Sequence, residues 1–488
     1  MKLRSLAVPC AVALLACSSS DPTTPAPTTD GGAGADADAA PVDGGTTGPE
    51  YASGTRLHAR VWVSADGGKI FHGFYDTQLK VDCAVTTAED GVQRCLPARD
   101  HGSLYYSDPA CSKAVTAVFD DCAAPYVGGL AGSCGIALHA STSVTSSATT
   151  LYDNASGSCA VVSVAPKALY EAGPKLDPTG FVKATRTREA RGSALMMEFW
   201  DMEDGARMPI GAYDTARKGV CASSVGFGEP AGGHCVPTHI GFAEGQFADP
   251  SCTVAAALVL DSTCGFAPDE VLGSAWVYGK KPNCLEDSLV GLASIGSTLQ
   301  SQAYSKNGNT CTSIPTPGKY APVTGDLPLG SLPQMKPAPD GTGRIVRHVE
   351  RAATGEKLLA ERFFDTTLNA QCDAMTASDG KLRCVPTGNF AFWYIDAACK
   401  QPVFAATGAA GCAYDVPEWM EANTTDGKTC PGATTTSYKV GAKIASQANL
   451  YSFNGTTCQG GSGSASWILY GTTEQPASTL AELTDVTE

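Results

Sequence analysis

Eighteen of the twenty cysteines in this chain fall into three sets of six that share a spacing. The sets are Cys83, Cys95, Cys111, Cys122, Cys134 and Cys159; Cys221, Cys235, Cys252, Cys264, Cys284 and Cys311; and Cys372, Cys384, Cys399, Cys412, Cys430 and Cys458. First-to-second gaps are 12, 14 and 12 residues, and second-to-third gaps are 16, 17 and 15. A self-similar period of about 140 residues means one unit built three times. An even count per unit reads as a disulfide framework made in an oxidising compartment.

The N-terminus sets the expected location. Lys2 and Arg4 precede an apolar run from Leu6 to Leu15, too short to span a bilayer and so read as a signal peptide over residues 1–16. It ends in Leu14-Leu15-Ala16-Cys17, which resembles the bacterial lipobox and implies lipid on Cys17. Residues 17–50 then carry the lipidated cysteine and a Ser-, Thr-, Pro-, Asp- and Gly-rich tether with too little apolar surface to fold. The expected anchor is the outer membrane or cell surface. Formal net charge is −15 with no basic cluster, which argues against nucleic acid.

The folded part divides into β repeats at 51–178, 179–325 and 326–488. Blocks recur at fixed offsets: Asp76, Asp214 and Asp365 stand seven residues before the first cysteine of each set. Asp108, Asp249 and Asp396 stand three before the third, and Tyr152, Tyr304 and Tyr451 seven before the last. Leu57, Ala59, Val61 and Val63 alternate with His58, Arg60 and Trp62, the period of a half-buried strand. No apolar helical stripe persists, so the fold class is all-β. Two closings are open: a six-bladed β-propeller with two four-stranded blades per repeat, or three small β domains in a row. The Pro-rich run from Pro315 to Gly343 reads as a linker and favours the second.

Spacing places Cys83 opposite Cys95 across a hairpin centred on Glu89, with the same arithmetic in the other repeats. Third-to-fourth and fifth-to-sixth bonds are the expectation for the rest, among 15 connectivities.

The lipobox, the tether, the Tyr75-Asp76-Thr77 block, the Arg94-Cys95-Leu96-Pro97 block and the Asp-x-x-Cys at Asp108 together resemble an uncharacterised family of Cys-rich envelope lipoproteins common in myxobacteria. The resemblance implies location and modularity and carries no activity.

Candidate chemistry is sparse. The recurring aspartates read as turn caps, because a catalytic carboxylate pair is needed once, not three times. Arg94 and Arg383 are expected as their ion-pair partners, with His234 at the matching place in the second repeat. His234, Cys235 and His239 resemble metal ligands, but a disulfide sulfur does not ligate zinc, so no metal and no cofactor are expected. Tyr105, Tyr106, Trp393 and Tyr394 are the candidate ligand-binding residues, since exposed rings stack on sugars. The function expected is a surface-anchored, non-catalytic binding or scaffolding lipoprotein with envelope polysaccharide as ligand. The alternatives are a secreted glycosidase-like hydrolase and an adhesin for a protein partner.

Overall fold

The computed structural model describes residues 50–97, 104–118, 125–131, 135–144, 150–153, 159–162, 168–191, 194–223, 233–238, 241–259, 273–280, 287–314, 319–353, 355, 357–390, 393–406, 416–425, 433–445, 449–453, 457–462 and 467–488. The lipobox, the tether and Cys122, Cys134, Cys264, Cys284, Cys412 and Cys430 lie outside these residues. Among the described residues the chain is all-β, with three short 3-10 turns as its helical segments.

Each repeat builds two sheets. The first is antiparallel and five-stranded; the second has seven strands in repeats one and two and eight in repeat three. In repeat two the five-stranded sheet runs Ala184–Arg191, Leu195–Met202, Arg207–Asp214, Gly219–Ser223, Cys235–Pro237. In repeat three it runs Met335–Asp340, Ile345–Ala352, Lys357–Asp365, Ala370–Thr376, Leu382–Pro386. Repeat one supplies four strands, Leu57–Ser64, Lys69–Asp76, Val81–Thr87 and Gln93–Pro97; its outer strand is Leu483–Thr487 from the far end of the chain.

That borrowed strand closes a ring. The last strand of each five-stranded sheet meets the start of the next through an isolated bridge: Arg94 to Lys183, His234 to Gln334 and Arg383 to Glu482. The cores cross the same seams. Leu57, Ala59 and Phe74 pack with Val182, Ala184 and Met202; Leu195, Met197 and Phe199 with Met335 and Leu358; Ile345 and Phe363 with Ile70 and Leu483. The five-stranded sheets therefore bury apolar faces against their neighbours, as stacked repeat units do, while the second sheets also hold clusters of their own, such as Val403, Leu450 and Leu469.

Small β units in succession fit this architecture. Sheets of five, seven and eight strands are not the four-stranded blades of a propeller. The second sheets of repeats two and three also contain parallel pairs, Gly241–Phe247 with Ser274–Lys280 and Asn389–Phe390 with Trp419–Thr425, which an up-and-down blade lacks. The expected proline-rich linker is corrected as well. Lys319–Asp326 and Met335–Asp340 are strands, and Pro337 and Pro339 sit on a sheet-edge strand, where a missing N–H costs little.

Disulfides join Cys83 to Cys95, Cys221 to Cys235 and Cys372 to Cys384. The register differs from the expected one: Cys83 faces Pro97 and Cys95 faces Val85, so the bond is diagonal, with Cα atoms 5.3 Å apart. The same diagonal recurs in the other repeats. Parity is kept, so both sulfurs remain on one face. The third-to-fourth and fifth-to-sixth bonds are corrected. Cys111 joins Cys159, Cys252 joins Cys311, and Cys399 joins Cys458, third to sixth throughout. Strand pairing explains this. Tyr106 faces Tyr152, Phe247 faces Tyr304 and Tyr394 faces Tyr451, which brings the final hairpin of each repeat beside the Asp-x-x-Cys turn.

Candidate functional site

The recurring aspartates are spent on the fold. Asp76 is fully buried; it accepts from Arg56 Nε at 3.0 Å and from the backbone N–H groups of Gln78 and Leu79. Asp365 repeats this with Arg344, Thr367 and Leu368. In repeat two the position of that arginine holds Ala194, and Asp214 is served by Arg217 of its own turn instead. All three guanidinium groups also reach the 3-10 turn that precedes the next sheet, at Gly180 O, Ser331 O and Thr479 O. These are clamps between repeats.

Arg94 and Arg383 do not pair with those aspartates. They bind Asp90 and Asp379 of their own hairpin turns and, across the seam to the adjoining sheet, the carbonyls of Phe181 and Leu480. A third set of contacts uses Asp204 and Asp66. Asp204 accepts from the backbone N–H groups of Arg56 and Leu57, and Asp66 from those of Arg344 and Ile345. Gly54 and Gly343 admit these carboxylates, since a Cβ would lie 2.4 Å and 2.8 Å from them.

Asp108, Asp249 and Asp396 cap the turn that carries the next cysteine in the left-handed region, φ 49° to 51°. The N–H of Lys113 foremost holds the Asp108 carboxyl below its ordinary range, and that of Val254 does so for Asp249.

The candidate aromatics lie in the second sheets. Tyr105 packs beside Val115, Leu151 and Leu169, and Tyr106 is half-buried. Tyr394 is buried, its hydroxyl pushed above the ordinary range by burial and then by Asp396. Trp393 is half-buried, 5.0 Å from Trp467.

Sequence reasoning missed the concave site. A cavity of about 430 Å³ lies where the five-stranded sheets of all three repeats converge. Lys69 to His72 line it from repeat one, Met208 to Ile210 from repeat two, and Arg347 and Arg362 from repeat three. Glu50 and Tyr51 complete it. A bulge at the same place in each sheet displaces His72 and Ile210 from the ladder and helps shape the wall. Tyr51 and Phe71 stack with centroids 5.3 Å apart. The Tyr51 hydroxyl is pushed up to about 12 by burial and then by Glu488, to which it donates at 3.3 Å. Glu50 bridges Lys357 at 2.6 Å and Arg347 at 3.4 Å. Burial alone would raise the Asp340 carboxyl, but Arg347 and Lys357 hold it below the usual range.

Repeat three departs from its siblings at Arg362, in the cavity wall, and at further positions. Arg362 occupies the place of Gly73 and Gly211, and Asp373 that of Ala84 and Ala222. Glu421 and Ser437 face one another where repeats one and two pair Gly128 with Leu138 and Trp276 with Leu292. Glu421 is 4% exposed, and its Oε2 and the Ser437 Oγ lack hydrogen-bond partners. Burial raises the Glu421 carboxyl, Asp373 next; burial raises Asp373 too, against the pull of Arg362. These residues occur once, so a search for recurrence passes over them. No three His, Cys, Asp or Glu side chains among the described residues gather to hold a metal.

The profile of a family of unknown function, DUF7481, matches residues 39–407. No curated protein and no solved structure matches the chain.

Proposed function

Because the chain belongs to the DUF7481 family, which has no assigned activity to transfer, we propose its role from the site: a non-catalytic binding module, held at the bacterial cell surface by lipid on Cys17, with envelope polysaccharide as its ligand. The observation that supports this reading is the cavity built by all three repeats. It joins a stacked Tyr51–Phe71 pair to charged donors and acceptors. Its volume falls within the roughly 300–1,000 Å³ usual for small-ligand sites. Aromatic faces with a few directed polar groups suit a sugar, apolar on its ring faces and polar at its hydroxyls. The disulfides support an oxidising compartment outside the cytoplasm.

A glycan-array screen of the oxidised chain tests the ligand class. Selective binding is expected, and a blank array would sink the polysaccharide reading. Labelling with a palmitate analogue tests the anchor: label is expected on wild type and absent from Cys17→Ser.

A second reading has one observation in its favour. Asp373 and Glu421 are a carboxyl pair present once in the chain, as glycoside hydrolysis requires. Product release from a bound glycan, abolished by Glu421→Gln, would establish turnover; intact glycan after prolonged incubation would exclude it.

A further inference from the structure

We propose that Arg362, in the wall of the axial cavity, and Asp373, 4.0 Å from it, determine specificity and bind adjacent hydroxyl groups of a saccharide, Arg362 donating and Asp373 accepting. This rests on the polysaccharide reading and names the residues and the ligand chemistry within it.

The three repeats act as internal controls. Ring closure needs the features they share, and the clamping aspartates, hairpin disulfides and bulges recur in all three sheets. Closure does not need Arg362 or Asp373, since glycine and alanine serve at both matching positions. A long cation facing a cavity and a half-buried acid beside it, present in one repeat of three, therefore require another reason.

Geometry supplies one. Arg362 Nε stands 4.0 Å from Asp373 Oδ1, and the two side chains are 48% and 37% exposed. The clamp pair Arg344–Asp365 is closed at 2.7 Å with its carboxylate fully buried. The wider pair leaves guanidinium N–H groups and carboxylate lone pairs unsaturated by each other. A vicinal diol offers both a donor and an acceptor at each oxygen, so it can engage both partners. The Tyr51 and Phe71 rings line the same cavity and offer a face for the sugar ring.

The test measures glycan-array intensities, followed by calorimetric titration with cellohexaose, maltohexaose and mannohexaose. It compares wild type, Arg362→Gly, Asp373→Ala and the double variant that carries both. The Gly and Ala replacements copy the sibling repeats, so unchanged thermal midpoints are expected and serve as the folding control. Each variant is expected to lose tenfold or more in affinity for the glycans that wild type binds, and the double variant little more than either single one. Wild-type binding that persists in every variant overturns this inference and leaves the polysaccharide reading standing. Absence of glycan binding by the folded wild-type chain overturns both.

Discussion

Replacing Arg344 with alanine isolates one clamp of the ring. Asp365 is fully buried and accepts from Arg344 Nε at 2.9 Å and a terminal guanidinium nitrogen at 2.7 Å. The same guanidinium donates to Thr479 O at 2.6 Å, just before the strand that closes the ring. In Arg344→Ala the carboxylate keeps only the N–H groups of Thr367 and Leu368. Breaking a buried pair by removing one partner costs about 3–5 kcal/mol, because a charge is left buried and uncompensated. The Arg344 side chain is 33% exposed and water can partly replace it, so the low end, about 3 kcal/mol, is expected. Lys381–Glu482 is the control: both side chains are 55% exposed, and Lys381→Ala should cost under about 1 kcal/mol. Urea unfolding followed by tryptophan fluorescence, with disulfides intact, measures both. If Arg344→Ala costs no more than Lys381→Ala, the buried clamps do not hold the ring and the reasoning fails.

Three further outcomes are expected. Opening Cys111–Cys159, which spans 48 residues, should cost about 4 kcal/mol, and opening Cys83–Cys95, which spans 12, about 3, on the chain-entropy estimate; paired Cys→Ser variants compared by denaturant midpoint check the order. Burial holds the Glu421 proton more tightly in the folded chain, so this group's stabilising effect is complete below its ordinary value of 4.5 and is lost as pH rises through the raised folded value. Glu421→Gln should therefore be more stable than wild type at about pH 8 and no more stable at about pH 4, and equal curves at both would contradict the assignment. Gly343→Ala places a Cβ 2.8 Å from Asp66 at φ 109°, whereas Gly67→Ala meets no atom at φ 82°; Gly343→Ala should show the larger drop in thermal midpoint.

The repeat was legible because cysteine spacing is rigid. The first hairpin disulfide was legible because side-chain parity in a strand survives a register error: the bond fell between the right cysteines although Cys83 faces Pro97. Asp76 and Asp108 were readable as caps, since a carboxylate beside a turn finds backbone N–H groups nearby. Closure by Leu483–Thr487 was not readable, because nothing local marks a strand whose partner stands more than four hundred residues earlier. The third-to-sixth disulfides escaped for a related reason: Tyr106 and Tyr152 pair although three other strands intervene between them in sequence. Recurrence pointed to the residues that hold the ring, whereas Arg362, Asp373 and Glu421 are visible only where one repeat breaks with the other two.

Hydrogen–deuterium exchange on the full chain, with and without a glycan selected by the array, tests the cavity as the ligand seat most directly. Protection is expected together in Lys69–His72 and Met208–Ile210 and around Arg347 and Arg362, segments far apart in sequence that line one cavity. Protection confined to the second sheets around Tyr105–Tyr106 or Trp393–Tyr394 would place the ligand there and contradict the axial site.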